Sequence, residues 1–392
     1  MLIISFDAVG DIEFDRLLRY PAFSALAKQS SVFRGVSTVF ISNTYPVHTS
    51  VATGVLPCEH GITSNTQEFP CANPVWNSDE RMIRVKTIWQ YASEKGIKTA
   101  AVLWPVTGFS KTINYNIPEV IPRPGKSQII TSLKAGSPIL QLILFLRYGK
   151  IMKGFNQPQL DNFSTACMTD ILRGKLRRSR RNKKPALALV HLTAYDTICH
   201  YNGLGSEALE EAFQSLDKNL AALLDAADDD DIIVFSDHTQ LNIHTVADPN
   251  IMLVKEGLIY QTGDGYIGGE NGCFFESAGG SAFFHAGKLP PQRIENLRSL
   301  AGKSEGFRRF LTADEMRETG RDDAAFGFCA KAGFCYEIFG AEKKGNHGYP
   351  LDMDDYKVFY MVKGFGLQPG INKGGSLLDI APLVKKRIDD AV

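Results

Sequence analysis

The sequence lacks a net charge and a regular cysteine pattern. Its 392 residues include 43 Lys and Arg against 43 Asp and Glu, so the overall charge does not favour a nucleic-acid polymer as partner. Seven cysteines, an odd number at irregular spacing, are not the framework of a disulfide-rich secreted domain. We therefore expect reduced thiols and a cytoplasmic protein.

Long apolar stretches are also missing. The most apolar one, PILQLILFLRYG at residues 138–149, falls short of the ~20 apolar residues that cross a bilayer. We interpret it as a buried or partner-facing helix. The opening MLIISFDAVG is typical of a buried strand and shows no basic region or cleavage site. The sequence thus predicts no membrane span and no signal peptide.

What is present is an alternation of short apolar runs and amphipathic helical patterns. We interpret four runs as buried strands, at residues 2–6, 98–104, 186–192 and 231–236. Helical patterns lie between them, for example at residues 23–29 and 85–96. This alternation predicts an α/β domain with a mostly parallel sheet. In such folds ligands bind beyond the carboxyl ends of the strands.

Two stretches depart from this alternation. Residues 125–184 have a helical pattern and end in the basic run KLRRSRRNKK at 175–184, which could contact an anionic surface but is more typical of a solvated helix end and loop. Residues 257–345 are rich in glycine and aromatics, which predicts short strands in an inserted lid. The expected domains are a main α/β unit at 1–256 and 346–392, with the lid between them.

Acidic and histidine residues follow three of the predicted strands, and one more histidine lies in the glycine-flanked GNHGYP. The set is Asp7, Asp196, His200, Asp237, His238 and His347. Taken singly, each Asp could be a helix cap and each His a hydrogen-bonded structural residue. Together they suit zinc or a similar divalent metal. They exceed one tetrahedral site, and a metal pair ~3.5–4 Å apart is a common device of phosphoryl transfer.

The segment SNTYPVHTSVATG at residues 42–54 suggests how such a pair would be used. Pro46 suits the first turn of a helix, so we expect a helix to begin there, with Thr44 just outside its N-terminus. Thr44 could be only a helix cap. Beside a metal it could instead be a nucleophile, because coordination activates a hydroxyl that is unreactive at its free pKa.

These motifs together resemble the nucleotide pyrophosphatase/phosphodiesterase family of the alkaline phosphatase superfamily. Residues 42–65 are similar to its nucleophile segment, and residues 73–76 and 87–105 to the stretches after it. DTICH, SDHT and NHGYP stand where the family has its metal ligands. The resemblance covers nearly the whole chain. It implies an α/β, alkaline-phosphatase-like three-layer sandwich with a mostly parallel central sheet and a smaller inserted lid subdomain.

The resemblance also implies roles for individual residues. One zinc would be held by Asp7, Thr44, Asp237 and His238, and the other by Asp196, His200 and His347. Thr44 would attack phosphorus to form a phosphothreonine. Asn65 would donate to a phosphate oxygen, a contact worth ~3 kcal/mol in a transition state. The implied activity is two-metal hydrolysis of a small-molecule phosphate diester, such as a nucleotide.

The sequence leaves other functions open. The same site could act on phosphate monoesters or phosphonates, because fold does not determine substrate. Sulfatases need a cysteine at position 44, and phosphoglycerate mutases use serine with a different inserted domain. A catalytically inactive binding protein would need a broken ligand set, whereas all seven positions are filled. The family's usual Asn-His pair is Val47–His48 here, and the modules of its extracellular members are not seen.

Substrate preference depends on what surrounds the metals. Six lid aromatics could form the lid's own core or an apolar wall for the second organic group of a diester: Tyr260, Tyr266, Phe274, Phe275, Phe283 and Phe284. Tyr45 could stack on a base or pack into the core. Lys343 and Lys344 precede His347 and could instead anchor a dianionic monoester.

Overall fold

The structure is a computed structural model. It describes residues 1–67, 74–123, 125–153, 156–175, 184–227, 231–263, 265–269, 271–338 and 342–391. Residues 176–183, which make up most of the predicted basic run, lie outside the described residues.

The described chain contains seventeen strands and fourteen α-helices. The strands are β1 (Leu2–Phe6), β2 (Ser31–Val36), β3 (Thr99–Val102), β4 (Tyr115–Ile117), β5 (Leu187–Leu192), β6 (Ile232–Ser236), β7 (Leu241–Ala247), β8 (Ile259–Thr262), β9 (Gly265–Gly268), β10 (Phe274–Ser277), β11 (Ser281–His285), β12 (Phe307–Phe310), β13 (Phe326–Ala330), β14 (Gly333–Tyr336), β15 (Gly345–Asn346), β16 (Val358–Lys363) and β17 (Gly370–Lys373). The helices are α1 (Phe14–Leu17), α2 (Pro21–Lys28), α3 (Thr44–Thr53), α4 (Pro57–His60), α5 (Ile88–Glu94), α6 (Gln128–Ala135), α7 (Pro138–Met152), α8 (Gln159–Leu172), α9 (Ala194–Asn202), α10 (Ala208–Ala227), α11 (Asn250–Lys255), α12 (Pro291–Ala301), α13 (Ala313–Glu318) and α14 (Ile380–Asp389).

An eight-stranded sheet in the order β17-β2-β16-β6-β1-β5-β3-β4 forms the centre of the molecule. Strand β1 pairs in parallel with both β5 and β6, and β3 pairs in parallel with β4 and β5. Only β16 among these strands runs antiparallel to its neighbours, β2 and β6. The predicted mostly parallel sheet is therefore confirmed.

Helices cover both faces of this sheet. In β1, Leu2, Ile4 and Phe6 belong to one apolar core and Ile3 to the other, as the two-residue period of a strand requires. The first core packs against α2, α8 and α10, and the second against α3, α5 and α14. A strand buried on both sides reads as a continuous apolar run, which is why LIISF predicted its strand correctly. The three-layer sandwich is confirmed.

The predicted strands are all found, within one or two residues at each end, and the helical pattern of residues 125–184 corresponds to α6, α7 and α8. Helix α7 is buried on one side only: Leu140 and Leu144 are buried, whereas Ile139 is 74% exposed and Leu146 76% exposed. No helix of the described part is long and apolar enough to cross a membrane.

The lid segment has an antiparallel sheet of its own, in the order β10-β11-β13-β12, as the turn-rich sequence predicts. It also contains the helices α12 and α13, which the sequence analysis missed. Strand β7 precedes residue 257 yet pairs with β14 and β15, so the lid is tied to the segment before it. The boundaries at 257 and 345 stay a prediction.

Candidate active site

The predicted site residues converge at the carboxyl edge of the central sheet. Asp7 follows β1, and Asp237 and His238 follow β6, which is the neighbour of β1. Helix α9, which carries Asp196 and His200, follows β5 on the other side of β1. Parallel strands end at the same edge, so residues more than 200 positions apart in the sequence meet there.

Thr44 is the first residue of α3, so the prediction that this helix begins at Pro46 is wrong by two residues. The N–H groups of a helix's first turn have no hydrogen-bond partner within the helix, so a proline anywhere in that turn costs no hydrogen bond. Pro46 can therefore be the third residue of the helix as well as the first. The N-cap is Asn43, in an extended conformation. Thr44 is thus not the cap residue. It is partly exposed, while every later residue of α3 is buried.

The Thr44 hydroxyl faces the first cluster of charged groups. Its Oγ1 lies 3.3 Å from Nε2 of His238. The same nitrogen lies 3.4 Å from Oδ1 of Asp7 and 3.3 Å from Oδ2 of Asp237. Ligand atoms of Asp7, Asp237 and His238 all lie within 4.8 Å of one another, and all three residues are buried.

A second cluster lies beside the first. The ligand atoms of Asp196, His238 and His347 lie within 4.8 Å of one another. His200, which the resemblance placed here instead of His238, has its Nε2 3.4 Å from Oδ1 of Asp196, and its ring centroid is 5.2 Å from that of His347. His238 therefore lies between the two clusters. The assignment of each ligand to one metal stays a prediction.

Hydrogen bonds orient two of the histidines for ligation. Nδ1 of His347 donates to Oδ1 of Asn43 at 2.9 Å, and Nδ1 of His200 donates to the carbonyl oxygen of Gly345 at 2.8 Å. With Nδ1 protonated, the unprotonated Nε2 is left available to bind a metal, the usual arrangement around metal-ligating histidines.

Buried atoms without partners indicate that the site is built for cations. Oδ1 of Asp7 and Oδ2 of Asp237 are buried and have no hydrogen-bond partner. Burial and the neighbouring carboxylates raise the pKa of Asp7 well above its usual range, and burial raises the pKa of Asp237 to about 7. Burial also lowers the pKa of His238 to about 3. The neutral imidazole of His238 beside carboxylate oxygens that lack hydrogen-bond partners fits the binding of divalent metal ions.

Asn65 lies at the same edge as Thr44 and lines the same cavity. Its Oδ1 accepts a 2.9 Å hydrogen bond from the backbone N–H of Tyr45. The side-chain NH2 group is therefore the one that can donate to a phosphate oxygen, and its role in catalysis stays a prediction.

Two buried histidines to which the sequence pattern assigned no role lie next to this site. His191, within β5, has its Nε2 3.2 Å from Oδ2 of Asp7 and its Nδ1 3.7 Å from Glu119. His48 donates from Nδ1 to the carbonyl of Thr44 at 2.8 Å, and that nitrogen also lies 3.5 Å from Asp237. Burial opposes the charge of His191, but Asp7 and Glu119 raise its pKa well above the usual value.

The signals for these histidines were weak. His48 stands one helical turn after Thr44, and His191 is a polar residue in an otherwise apolar strand. Both histidines contact residues of the predicted site and hold them in position or balance their charge.

Glycines allow the loop with His347 to reach the cluster. Gly348 has φ of +82°, and a Cβ there would lie 1.8 Å from the carbonyl oxygen of Ala278. At Gly279 a Cβ would lie 2.2 Å from the carbonyl oxygen of His347. The close approach of two backbones requires both glycines.

The lid aromatics do not face the site, whereas Tyr45 contributes to the cavity wall. Tyr45 is fully buried and packs with Ile62 and Val106. Five of the six aromatics are buried or partly buried in the lid's own structure, and Tyr260 is 65% exposed. None of the six is among the described residues that line the cavity. The alternative of an apolar wall made by these aromatics is therefore wrong.

A cavity of about 900 Å³ opens beside the candidate metal ligands. Its walls include Thr44, Asn65, Asp196 and His347 at one end. Lys343 is the one lysine or arginine among the described residues that line it, and it forms an ion pair with Glu337. The cavity thus has no uncompensated fixed cation in its described wall.

Arg321 ties the lid to the loop that carries Asn65. It is 2% exposed, forms an ion pair with the buried Glu276, and donates to the carbonyl of Thr63, two residues before Asn65. Burial alone would raise the pKa of Glu276, but Arg321 and His285 lower it to about 2. The lid therefore helps to position the site by a buried, charge-assisted contact.

We expect Arg321→Met to destabilise the protein by about 3–5 kcal/mol, because it removes the arginine partner of the buried Glu276 carboxylate, which then retains only His285. Urea unfolding measures this change. The matched control is Arg308→Met, which removes a half-exposed arginine of the same subdomain, paired with the exposed Asp352, and should cost under about 1 kcal/mol. Equal midpoints for the two variants would contradict the role given to Arg321.

Comparison with known sequences agrees with this geometry. The family profile described as type I phosphodiesterase/nucleotide pyrophosphatase matches residues 1–292. Human ectonucleotide pyrophosphatase/phosphodiesterase family member 5 is 29% identical over 116 residues, which are 27% of this chain and 24% of that protein. Family member 1, also human, is 29% identical over 106 residues, or 26% of this chain and 11% of that protein. The matches thus span a quarter or less of the curated relatives.

Solved structures show the same fold over nearly the whole chain. Murine ectonucleotide pyrophosphatase/phosphodiesterase 5 superposes with a TM-score of 0.68 at 16% identity, covering 99% of this chain and 95% of that one. A further match, with a TM-score of 0.68 and 15% identity, is an inactive threonine-to-alanine variant of the murine protein in complex with AMP. This likeness confirms the alkaline-phosphatase-like architecture. From the profile match, the chain belongs to the type I phosphodiesterase/nucleotide pyrophosphatase family.

Proposed function

We propose that the protein is a two-metal hydrolase of phosphate diesters that acts through a phosphothreonine at Thr44. One observation carries the proposal: the Thr44 hydroxyl lies 3.3 Å from Nε2 of His238, beside the buried carboxylates of Asp7 and Asp237. A hydroxyl becomes an effective nucleophile only when its environment lowers its pKa. The family membership and the names of the relatives support the same activity.

Two divalent metals, most simply Zn²⁺, would be held by Asp7, Thr44, Asp237 and His238 and by Asp196, His200 and His347. When bound, such a pair stabilises the charge on the attacking and leaving oxygens of an in-line displacement. The buried, unpartnered oxygens of Asp7 and Asp237 support this assignment.

The remaining roles belong to the chain itself. Thr44, at the N-terminal end of the ten-residue helix α3, attacks phosphorus, so that the Oγ–P bond forms and the bond to the leaving oxygen breaks. The positive end of the helix dipole favours the ionised hydroxyl. The NH2 group of Asn65 donates to a non-bridging oxygen. Water then hydrolyses the phosphothreonine and restores the Thr44 hydroxyl.

The charges around the site favour a diester over a monoester. Fixed cations beside the metals would favour a monoester dianion, whereas Lys343 is already paired with Glu337. A diester carries one negative charge and a second organic group, which the adjoining cavity can accommodate. The relatives' names and the AMP complex of the murine protein support a nucleotide as one candidate substrate.

We expect bis-(p-nitrophenyl) phosphate to be hydrolysed with a higher kcat/KM than p-nitrophenyl phosphate, measured by nitrophenolate release in the presence of Zn²⁺. A matched variant, Lys343→Met, should leave this preference unchanged, because the lysine is already neutralised in the structure. A tenfold preference for the monoester that disappears in Lys343→Met would identify a phosphatase with Lys343 as its anchor, and would overturn the diesterase proposal.

A further inference from the structure

Exposed apolar side chains are concentrated on one part of the surface. Of the eighteen large apolar residues that are exposed in the described chain, eight lie between residues 121 and 151. They belong to helices α6 and α7 and to the loop before α6, and a patch of this kind marks an interaction site. We propose that this surface, the α6–α7 face, docks onto a membrane rich in anionic phospholipid. The proposal concerns where the protein binds and does not depend on the proposed hydrolase.

Helix α7 supplies the most exposed of these residues. Ile139 is 74% exposed, Leu142 54% and Leu146 76%. Their spacing of three and four residues places them on one side of the helix, opposite the buried Leu140 and Leu144. Ile139 and Leu146 are not among the described residues that line the cavity. The cavity therefore does not account for their exposure.

Helix α6 presents a second apolar side next to that of α7. Ile129 and Ile130 are 61% and 55% exposed. A 2.7 Å hydrogen bond from Ser132 to Gln141 joins the two helices, and Ile129 and Leu142 line the same cavity. The exposed apolar residues of both helices therefore adjoin and form one face.

The charge of this part of the chain has one sign. Between residues 120 and 169 the sequence contains six lysines and arginines but a single acidic residue, Asp161, and Asp161 is fully buried. Four of the lysines are exposed and form no ion pair with any described residue: Lys126, Lys134, Lys150 and Lys153. An apolar face with basic residues around it is complementary to the apolar interior and the negative headgroups of an anionic bilayer.

Two other occupants fit this combination less well. A second copy of the chain would bring the same lysines against one another across a twofold axis, and like charges repel. A nucleic acid would contact the lysines but leave the apolar side chains in water. A membrane engages both, because apolar side chains enter the boundary between headgroups and acyl chains while lysines extend to the phosphates.

The test is sedimentation of the full chain with vesicles of phosphatidylcholine and phosphatidylserine in equal parts, compared with vesicles of phosphatidylcholine alone. The wild type should bind the mixed vesicles at least about tenfold more tightly than the neutral ones, and added salt should weaken the binding. The double variant Ile139→Gln/Leu146→Gln should bind the mixed vesicles about 100-fold less tightly, because two apolar side chains no longer leave water.

The opposite edge of the central sheet offers a matched control. Ile371 is 75% exposed on β17, whereas α7 contacts β4 at the other edge. Ile371→Gln should therefore bind like the wild type. Lys126→Gln combined with Lys150→Gln should weaken binding about 25-fold, at about fivefold for each basic residue at an anionic surface. Lys373→Gln, which changes an exposed lysine of β17, should have no effect.

Three results would overturn the docking proposal. The first is a wild type that binds neither kind of vesicle. The second is binding that Ile139→Gln/Leu146→Gln retains in full, which would assign the contact to another basic segment, such as residues 175–184. The third is a wild type that is dimeric by light scattering and becomes monomeric in the same variant, which would assign the face to a second copy of the chain. In every variant, hydrolysis of the soluble bis-(p-nitrophenyl) phosphate should match the wild type, so that docking and the proposed hydrolase are tested separately.

Discussion

Thr44→Ala is expected to lower kcat by on the order of a thousandfold or more, because it removes the nucleophile of a covalent mechanism. The fold should persist, since Thr44 is partly exposed and contributes little to core packing. Thr44→Ser should retain a measurable fraction of the activity, because the hydroxyl survives. Steady-state hydrolysis of bis-(p-nitrophenyl) phosphate gives the rates.

A threonine on the same helix provides the control. Thr49 is buried, and its hydroxyl donates to the carbonyl of Tyr45 at 2.8 Å, so Thr49→Ala should affect stability but not the chemical step. Acid quenching during turnover should trap phosphate on Thr44, detectable by mass spectrometry of its peptide. Wild-type turnover by Thr44→Ala would refute the covalent mechanism and favour direct attack by water.

Removal of metal is expected to abolish hydrolysis, and Zn²⁺ is expected to restore it. Elemental analysis of gently purified protein should approach two metals per chain. The affinity should rise with pH through about 7, because burial raises the pKa of Asp237 to about that value and the metal binds the ionised form. Undiminished turnover by metal-free protein in chelator would exclude the two-metal site.

Two buried aspartates distinguish a metal ligand from a structural carboxylate. Asp237→Asn should remove bound metal, because Oδ2 of Asp237 is buried without a partner. Asp161 is equally buried, but its two oxygens accept 2.9 Å hydrogen bonds from the N–H groups of Thr193 and Ala194. Asp161→Asn should therefore keep its metal content per folded chain. Equal metal loss in both variants would indicate general unfolding.

The strands β1, β3, β5 and β6 were predictable because they are buried on both faces and therefore read as continuous apolar runs. The exposed edge strand β17 has no such run and was not predicted. The convergence of the candidate ligands was predictable for a related reason: in a parallel sheet the residues after the strands lie at the same edge. Asp7 and Asp237 satisfy this rule directly. The start of α3 was placed two residues late, because local propensity does not distinguish a proline at the first turn's beginning from one at its end.

Other features depend on contacts between distant segments. His191 looks like any residue of a buried strand until β1 places Asp7 beside it. In the sequence, nothing distinguishes Arg321 from a surface arginine. In the fold, its guanidinium packs against Glu276 and Thr63. The contacts of His191 and Arg321 cannot be identified from the spacing of residues in the sequence. The contacting residues are about 45 to 260 positions apart, with several helices and strands between them.

The sequence by itself determined the α/β class, the four adjacent strands β1, β3, β5 and β6, the family and the chemical types at the candidate site, because periodicity and residue type are local properties. Only the tertiary structure decided that His238 lies between both clusters and that Lys343 is neutralised by Glu337. It also decided that apolar residues of α6, α7 and α8, rather than the lid aromatics, line the cavity. These features arise from the side chains that packing brings together across the sheet edge, and that packing is a property of the whole fold.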